Sequence, residues 1–135
     1  MKEIFAIVRM NKTGATKKAL VEAGVAGFTA VKVSGRGKLV DDPAVVAGRK
    51  AAMMALADAD EAGAEALIDG FLDGHRLFPR RLFIILAHDE DVPKIIEAIM
   101  QANRTEHKVG DGKIFVMPML DAIRVRTGES GKDAV

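Results

Sequence analysis

The chain has 135 residues, which suits a single domain, and its net charge of +1 argues against a general nucleic-acid binder. It has no cysteine, which excludes disulfides and thiolate chemistry, and no apolar run approaches the roughly 18 to 20 residues of a membrane span. The start MKEIFAIVRMN lacks a signal-peptide core, so we expect a cytoplasmic protein. Hydrophobic residues make up 49% and aromatic residues only 4%, so we expect an aliphatic core.

The apolar patterns, taken in chain order, predict five strands and two main helices. The strands are expected over residues 3–10, 28–34, 81–87, 113–117 and 122–126. The helices are expected over residues 12–23 and 90–103. Thr13 is a candidate N-cap of the first helix and Gly24 its C-cap, with Ala15 and Leu20 on its apolar face.

This order is β-α-β, a long excursion, β-α-β and a short tail strand. It predicts an α+β fold of the ferredoxin-like βαββαβ type over residues 1–135, with one antiparallel sheet, two helices on one face and an extra C-terminal strand. Because the other face of so small a sheet must be covered, we expect the protein to form oligomers.

The excursion over residues 39–79 exceeds an ordinary connection, and such length indicates either function or disorder. Residues 44–72 are rich in helix-forming residues but contain glycines at several points, which favours a pair of short helices over one long helix. A face rich in Met and Leu would suit a binding partner. A solvated helical decoration is the alternative.

Cations recur at three predicted strand ends, in two of them together with glycines: GRGK at residues 35–38, GDGK at 110–113 and RVR at 124–126. Glycines let backbone amides approach an anion, and lysine and arginine add charge. Alternate residues of a strand share a face, so Arg124 and Arg126 would point the same way. Together the three clusters predict a polyphosphate cradle, although each one alone could be a tight turn with solvated cations. The P-loop pattern is absent.

Catalytic and metal-binding patterns are missing. The histidines at positions 75, 88 and 107 are scattered, so we expect no metal site built from them. Neither Ser34 nor Ser130 has an adjacent histidine that could activate it as a nucleophile. The sequence therefore predicts a binding protein and not an enzyme.

The stretches GDGKIFV at residues 110–116 and RVRTGE at 124–129 resemble the C-terminal signature of the PII nitrogen-regulatory family. KEIFAIVR at the start, GFTAVKVSGRGK at 27–38 and FPR at 78–80 resemble the same family. KEIFAIVR, GRGK and the approach to GDGKIFV are most similar to the second of the paired PII-like regulators found with nitrogenase genes.

The resemblance implies a homotrimer, or a hetero-oligomer with a paired PII-like protein, that holds ATP or ADP between subunits. It implies an adenine side formed by Ile7, Gly27, Phe28, Thr29 and Leu86. It implies a phosphate side formed by Gly35, Gly37, Lys38, Gly110, Gly112, Lys113, Arg124 and Arg126, with Asp111 among the nucleotide-binding residues.

Residues 39–79 correspond to the family's T-loop, which contacts targets and responds to 2-oxoglutarate and Mg²⁺. The implied effector site includes Gly37, Leu39 and Arg80, but Leu39 stands where the family has a metal-binding Gln, and Arg80 where it has a Lys. We therefore expect altered 2-oxoglutarate binding. Residues 38–79 also contain no Ser, Thr or Tyr, so the hydroxyl that is modified in many PII proteins is missing.

The resemblance to the nitrogenase-associated regulators implies that nitrogenase is the target, inhibited directly and relieved by 2-oxoglutarate with ATP. An ordinary PII protein that acts on an ammonium transporter or on glutamine synthetase is the alternative. An enzyme that uses ATP in the same cleft is less favoured, because no acid–base pair is evident.

Overall fold

The computed structural model describes residues 1–37, 43–56, 63–72, 76–106 and 110–135. These residues form four strands: β1 (Lys2–Arg9), β2 (Phe28–Gly35), β3 (Phe78–Ala87) and β4 (Lys113–Pro118). They also form four α-helices: α1 (Thr13–Glu22), α2 (Pro43–Leu56), α3 (Ala64–Leu72) and α4 (Val92–Asn103). Short 3₁₀ turns lie at Met10–Lys12 and Gly131–Ala134.

The strands form one sheet in the order β2-β3-β1-β4, and β1 is antiparallel to both of its neighbours. In the register of this sheet, Ile4 lies opposite Ile85 on one side and Val116 on the other. This is the strand order of a βαββαβ ferredoxin-like unit, so the predicted fold class is confirmed.

The core lies between the sheet and helices α1 and α4. Alternate residues are buried from Ile4 onward in β1 and from Phe83 onward in β3, together with the inner faces of the two helices: Ile4, Ala6, Val8, Leu20, Phe83, Ile85, Ala87, Val92, Ile95 and Ile99. The intervening residues of the strands point to the opposite face of the sheet. On that face Phe5 lies between Ile84 and Phe115, and Phe115 is 44% exposed. The second face of the sheet is therefore apolar as well.

Helix α1 ends as predicted but begins differently. Gly24 has a φ of +79°, and its N–H donates to the Val21 carbonyl while the Val25 N–H donates to that of Leu20, which is a Schellman C-terminus. The prediction of Thr13 as N-cap is wrong. Thr13 is the first helical residue, Lys12 is the N-cap without a side-chain bond, and the Thr13 hydroxyl donates to the Met10 carbonyl at 2.7 Å.

The inner face of α1 is also shifted from the predicted one. Ala15 is exposed, whereas Thr16 is fully buried one position further on. The Thr16 hydroxyl donates to the Lys12 carbonyl at 2.8 Å and accepts from Asn103 Nδ2 at 2.9 Å. A polar residue can therefore occupy the α1–α4 interface because its hydrogen bonds are satisfied there.

The predicted fifth strand is wrong. Within residues 122–126, only Ile123 makes a β-bridge, to Ser130, and residues 124–127 turn back on themselves. The N–H groups of Thr127 and Gly128 donate to the Arg124 carbonyl at 3.2 and 2.8 Å, and Gly128 has a φ of +75°. This turn begins at Arg124, two residues after the start of the predicted strand. The segment therefore closes into a loop and does not continue as a strand.

The chain divides into two compact units: Met1–Ser34 with Pro79–Val135, and Gly35–Phe78. The second unit contains α2 and α3, so the predicted pair of short helices is confirmed. Lys50 Nζ joins them, at 3.0 Å from Glu65 Oε1 and 2.9 Å from Asp69 Oδ1, and Ile68 is only 5% exposed. The hydrogen bond that Lys50 donates to Asp69, and then the one that it donates to Glu65, raises the pKa of Lys50.

The assignment of residues 1–135 to a single domain stays a prediction. Two of the predicted site residues, Lys38 and Leu39, lie outside the described residues. None of the helices in the described part of the chain has both the length and the apolar character needed to cross a membrane.

Candidate functional site

The GDGK loop lies at the start of β4, pressed against the end of β1. Gly110 and Gly112 have φ values of +96° and +117°, which side-chain-bearing residues rarely adopt. A Cβ on Gly112 would overlap the carbonyl oxygen of Ile7, and one on Gly110 would lie 2.9 Å from Arg9 Nη2. The fold itself therefore requires Gly112, because the loop backbone packs directly on β1, whereas Gly110 is favoured by its positive φ and by the nearby Arg9 side chain.

Asp111 fixes this loop from two sides. Its carboxylate accepts hydrogen bonds from the Thr105 N–H at 2.9 Å and from the Thr105 hydroxyl at 2.6 Å, and lies 3.4 Å from Arg9 Nη2. Arg9 Nε also donates to the Gly110 carbonyl at 2.9 Å. The loop is thereby tied to both β1 and the end of α4. Sequence reasoning missed Arg9 and Thr105, and no motif signals their pairing with a residue so distant in the chain.

Lys113 is the last residue of the GDGK loop and the first residue of β4. It is exposed and lies directly opposite Ile7 in the β1–β4 register, so both residues belong to the sheet face that points away from α1 and α4. The structure therefore brings together Ile7, from the predicted adenine side, and the GDGK loop, from the predicted phosphate side.

The other predicted adenine-side residues lie at the opposite end of the sheet. Leu86 is opposite Glu3, four positions along β1 from Ile7, which corresponds to about 13 Å of strand. Leu86 borders a small hollow together with Ala26, next to the predicted residues Gly27, Phe28 and Thr29. The two groups therefore occupy separate ends of one chain.

In the group that contains Leu86, the ring of Phe28 packs partly against the core. Phe28 packs edge-on against Phe83, with the ring centroids 5.6 Å apart. Thr29 and Gly27 are exposed. The group therefore offers an exposed backbone and hydroxyl beside a half-buried ring.

The RVRTGE motif forms the closed loop after β4, and Glu129 is its anchor. The Glu129 carboxylate accepts hydrogen bonds from the Arg124 guanidinium and, at 2.8 Å, from the Thr127 hydroxyl, while the Arg124 N–H donates to the Glu129 carbonyl at 2.8 Å. Arg126 is exposed. The prediction that a strand aligns the two arginines is wrong, since no strand forms there in the described residues.

The remaining predicted site residues are distributed between the two units. Gly35 and Gly37 belong to the second unit, and their convergence with the GDGK loop stays a prediction. Arg80 is half-buried in the first unit, where its Nη1 donates to the Pro79 carbonyl at 3.1 Å. Among the described residues, no group of three or more His, Asp or Glu side chains is arranged to hold a metal ion.

Comparison with known proteins gives one consistent result. The family model described as nitrogen regulatory protein P-II matches residues 1–129. The "Nitrogen fixation nifHD region GlnB-like protein 2" of Methanobacterium ivanovii is 40% identical, over 100% of this chain and 99% of its own. The protein of the same name from Methanothermobacter marburgensis is 36% identical, and the "Nitrogen regulatory protein P-II" of Rhodobacter capsulatus is 37% identical, each over 100% of both chains.

Proposed function

Because the chain belongs to the nitrogen regulatory protein P-II family, we propose that it senses cellular nitrogen and energy status by binding ATP or ADP between subunits. In this proposal the segment 39–79 transmits the bound state to a target protein, and nitrogenase is that target. The family consists of signalling proteins, which agrees with the absence of a catalytic motif in the sequence.

The observation that supports a nucleotide site between subunits is that the predicted binding residues lie at two different ends of the sheet. Ile7, Lys113 and the GDGK loop lie at one end of the sheet, and Leu86 lies about 13 Å away at the other. A neighbouring copy that presents its Leu86 end to the GDGK end of the first would complete the site.

The outer face of the sheet, on which Phe115 is exposed, supports such an assembly. Phe5, Ile84 and Phe115 lie side by side across β3, β1 and β4, on the face opposite to α1 and α4. An apolar surface of this kind is stabilised when it is removed from water. We propose that this face closes a homotrimer, or a hetero-oligomer with a paired PII-like protein.

On the phosphate side, Lys113 and Arg126 are the exposed cations that we propose to contact the nucleotide. Arg124 already pairs with Glu129, so we assign it a second role, that of shaping the loop that carries Arg126. The GDGK loop is held by Asp111 before any ligand arrives, which lowers the ordering cost of binding.

Calorimetric titration with ATP and ADP tests the site. Lys113→Ala and Arg126→Ala should each remove a charge-assisted contact of roughly 1.5 to 3 kcal/mol, which weakens binding about ten- to a hundred-fold. Lys17→Ala, which removes an exposed cation from α1, is the matched control and should bind normally. Normal affinity in both site variants would contradict the proposed phosphate contacts.

The proposal of nitrogenase as target rests on the names of the relatives, which place them in nifHD regions. The second candidate is an ordinary P-II role, with an ammonium transporter or glutamine synthetase as target, and the Rhodobacter capsulatus relative favours it. A variant in which a short Gly-Ser linker replaces residues 42–73 tests whether this segment, or the remainder of the chain, is responsible for inhibition of the target. It should keep ATP binding and lose inhibition of purified nitrogenase. If it inhibits as well as the intact chain, the segment is not the effector.

For 2-oxoglutarate we propose an altered site. Leu39 offers no metal ligand, and Arg80 presents a guanidinium where the family has an amine. Asp41 or Asp42 would supply the carboxylate that Mg²⁺ prefers.

A further inference from the structure

The GDGK loop carries a carboxylate at the place where the proposed function requires an anion to bind. Asp111 lies between two glycines and two residues before the exposed Lys113. Two residues of chain span at most about 7 Å, which is shorter than the Debye length of about 8 Å at physiological ionic strength. The charge of Asp111 would therefore repel a phosphate held by this loop, unless a neighbouring cation offsets it.

Arg9, the last residue of β1, is in position to offset this charge. Its Nη2 lies 3.4 Å from Asp111 Oδ1, and its Nε donates to the Gly110 carbonyl at 2.9 Å. The side chains of Arg9 and Asp111 are only 23% and 29% exposed, so their attraction is screened less than that of a fully exposed pair. Arg9 therefore acts on the loop twice, by neutralising its carboxylate and by holding its backbone.

Thr105, just after the end of α4, holds the same carboxylate from another side. Its N–H donates to Asp111 Oδ2 at 2.9 Å, and its hydroxyl donates to Asp111 Oδ1 at 2.6 Å. A carboxylate suits this position because its two oxygens accept from a backbone donor and a side-chain donor at the same time. Asp111 thus anchors the loop, but it introduces a negative charge that an anion-binding loop must compensate.

We propose that Arg9, Thr105 and Asp111 are positioning residues for the nucleotide. Thr105 and Asp111 hold the GDGK loop in shape, and Arg9 offsets the charge of Asp111 so that the phosphates of ATP or ADP can approach. The inference rests on the proposed function, since the nucleotide supplies the anion. It adds Arg9 and Thr105, which lie outside the sequence motifs, to the residues that govern binding.

Two substitutions of Arg9 separate its charge from its shape. Arg9→Lys keeps the cation and loses the Nε bond to Gly110, so calorimetry should show ATP affinity reduced by no more than about threefold. Arg9→Met keeps most of the side-chain length and loses the cation, so affinity should fall about tenfold or more. Lys17→Met, which removes one exposed cation from α1, is the control and should bind normally. Equal losses in Arg9→Lys and Arg9→Met would refute the charge role.

A double variant tests the same role without relying on a loss of function. Asp111→Asn removes the negative charge and keeps an oxygen that accepts from Thr105. Arg9→Met combined with Asp111→Asn should therefore bind ATP about fivefold more tightly than Arg9→Met alone, because the carboxylate that has lost Arg9 is gone. Both variants lack the same ion pair, so a folding defect cannot produce this rescue. If the double variant binds no better than Arg9→Met, the proposed charge compensation is wrong.

Salt distinguishes Arg9 from Thr105. Raising NaCl from about 50 to about 500 mM shortens the range of the repulsion from Asp111. The ratio of ATP affinities between the wild type and Arg9→Met should therefore shrink. Thr105→Val removes one hydrogen bond to the carboxylate and no charge, so its affinity should be about threefold to tenfold lower at both salt concentrations. A ratio for Arg9→Met that does not change with salt, or normal ATP affinity in Thr105→Val, would contradict the proposal.

Failure of this inference is distinguishable from failure of the proposed function. If the wild type binds neither ATP nor ADP, or if Lys113→Ala and Arg126→Ala both bind normally, the nucleotide site itself is wrong and the inference fails with it. If Lys113→Ala weakens ATP binding while Arg9→Met binds like the wild type, the nucleotide site stands and only the role of Arg9 is refuted.

Discussion

The packing of the GDGK loop on β1 predicts a graded response to alanine at three glycines that share a positive φ. Gly128 has a φ of +75°, and a Cβ there would meet nothing within 4 Å. Gly110→Ala would place a Cβ 2.9 Å from the end of the flexible Arg9 side chain. Gly112→Ala would drive a Cβ into the backbone carbonyl of Ile7, which can yield only if β1 and β4 separate.

The expected loss of unfolding free energy in each variant follows from the atoms that the new Cβ would meet. Gly128→Ala has only the conformational cost, about 1 to 2 kcal/mol. Gly110→Ala adds displacement of Arg9 from its contacts with Gly110 and Asp111, for a total of about 2 to 3 kcal/mol. Gly112→Ala combines about 1 to 3 kcal/mol of backbone strain with about 1 to 3 kcal/mol of overpacking, so we expect a total of about 2 to 6 kcal/mol.

The assay is urea unfolding followed by circular dichroism, with every variant at the same protein concentration because association would contribute to stability. The slope of the transition should stay constant while its midpoint falls in the order Gly128, Gly110, Gly112. If Gly112→Ala proves no less stable than Gly128→Ala, the close approach of the loop to Ile7 does not exist in solution and the explanation of the glycines fails.

Three further predictions rest on separate features. Thr16→Val keeps the shape of α1 but removes the acceptor of one hydrogen of the buried Asn103 amide. Urea unfolding should therefore show a loss of about 1 to 3 kcal/mol in the free energy of unfolding. A loss below about 0.5 kcal/mol would contradict this role of Thr16. The pKa of Lys50 is raised from 10.5, so its stabilisation of the α2–α3 pair is complete below that pH and is lost as the pH rises through the higher folded value. Helical circular dichroism should therefore fall above pH 10.5 by more in the wild type than in Lys50→Met, and equal losses would show that the bridge does not hold the helices. Calorimetry of the ATP-loaded protein should detect Mg²⁺-dependent binding of 2-oxoglutarate that disappears when Asp41 and Asp42 are both changed to Ala, and survival of tight binding would exclude them as substitute ligands.

The parts of the fold that could be predicted are those in which local pattern and burial coincide. The continuous apolar run IFAIV predicts the strand that buries Ile4, Ala6 and Val8, and the spacing of Val92, Ile95 and Ile99 marks the inner face of α4. Because each βαβ half is local in sequence, the order of the elements was sufficient to predict the topology of the sheet.

The parts that could not be predicted depend on partners that no local pattern records. RVR alternates like a strand, yet Glu129 accepts from Arg124 and Gly128 allows the chain to turn, so the segment closes into a loop. The choice of Thr16 over Ala15 for the inner face of α1 depends on Asn103, which lies 87 positions further along the chain. Likewise, the clamp on Asp111 depends on Arg9, at the far end of another strand.

The GDGK glycines show how the same residues admit two physical explanations. Read from the sequence, they clear space for a phosphate. In the structure, Gly112 clears space for the Ile7 carbonyl, and Gly110 does so for Arg9. Gly112 is therefore required, and Gly110 favoured, whether or not a ligand binds, and their presence alone is no argument for a nucleotide. The argument rests on groups that the fold does not need at their positions: the exposed Lys113 and Arg126, and the Leu86 end that one chain holds about 13 Å from Ile7. Loss of stability and loss of affinity should accordingly separate, with Gly112→Ala affecting both and Lys113→Ala affecting affinity alone.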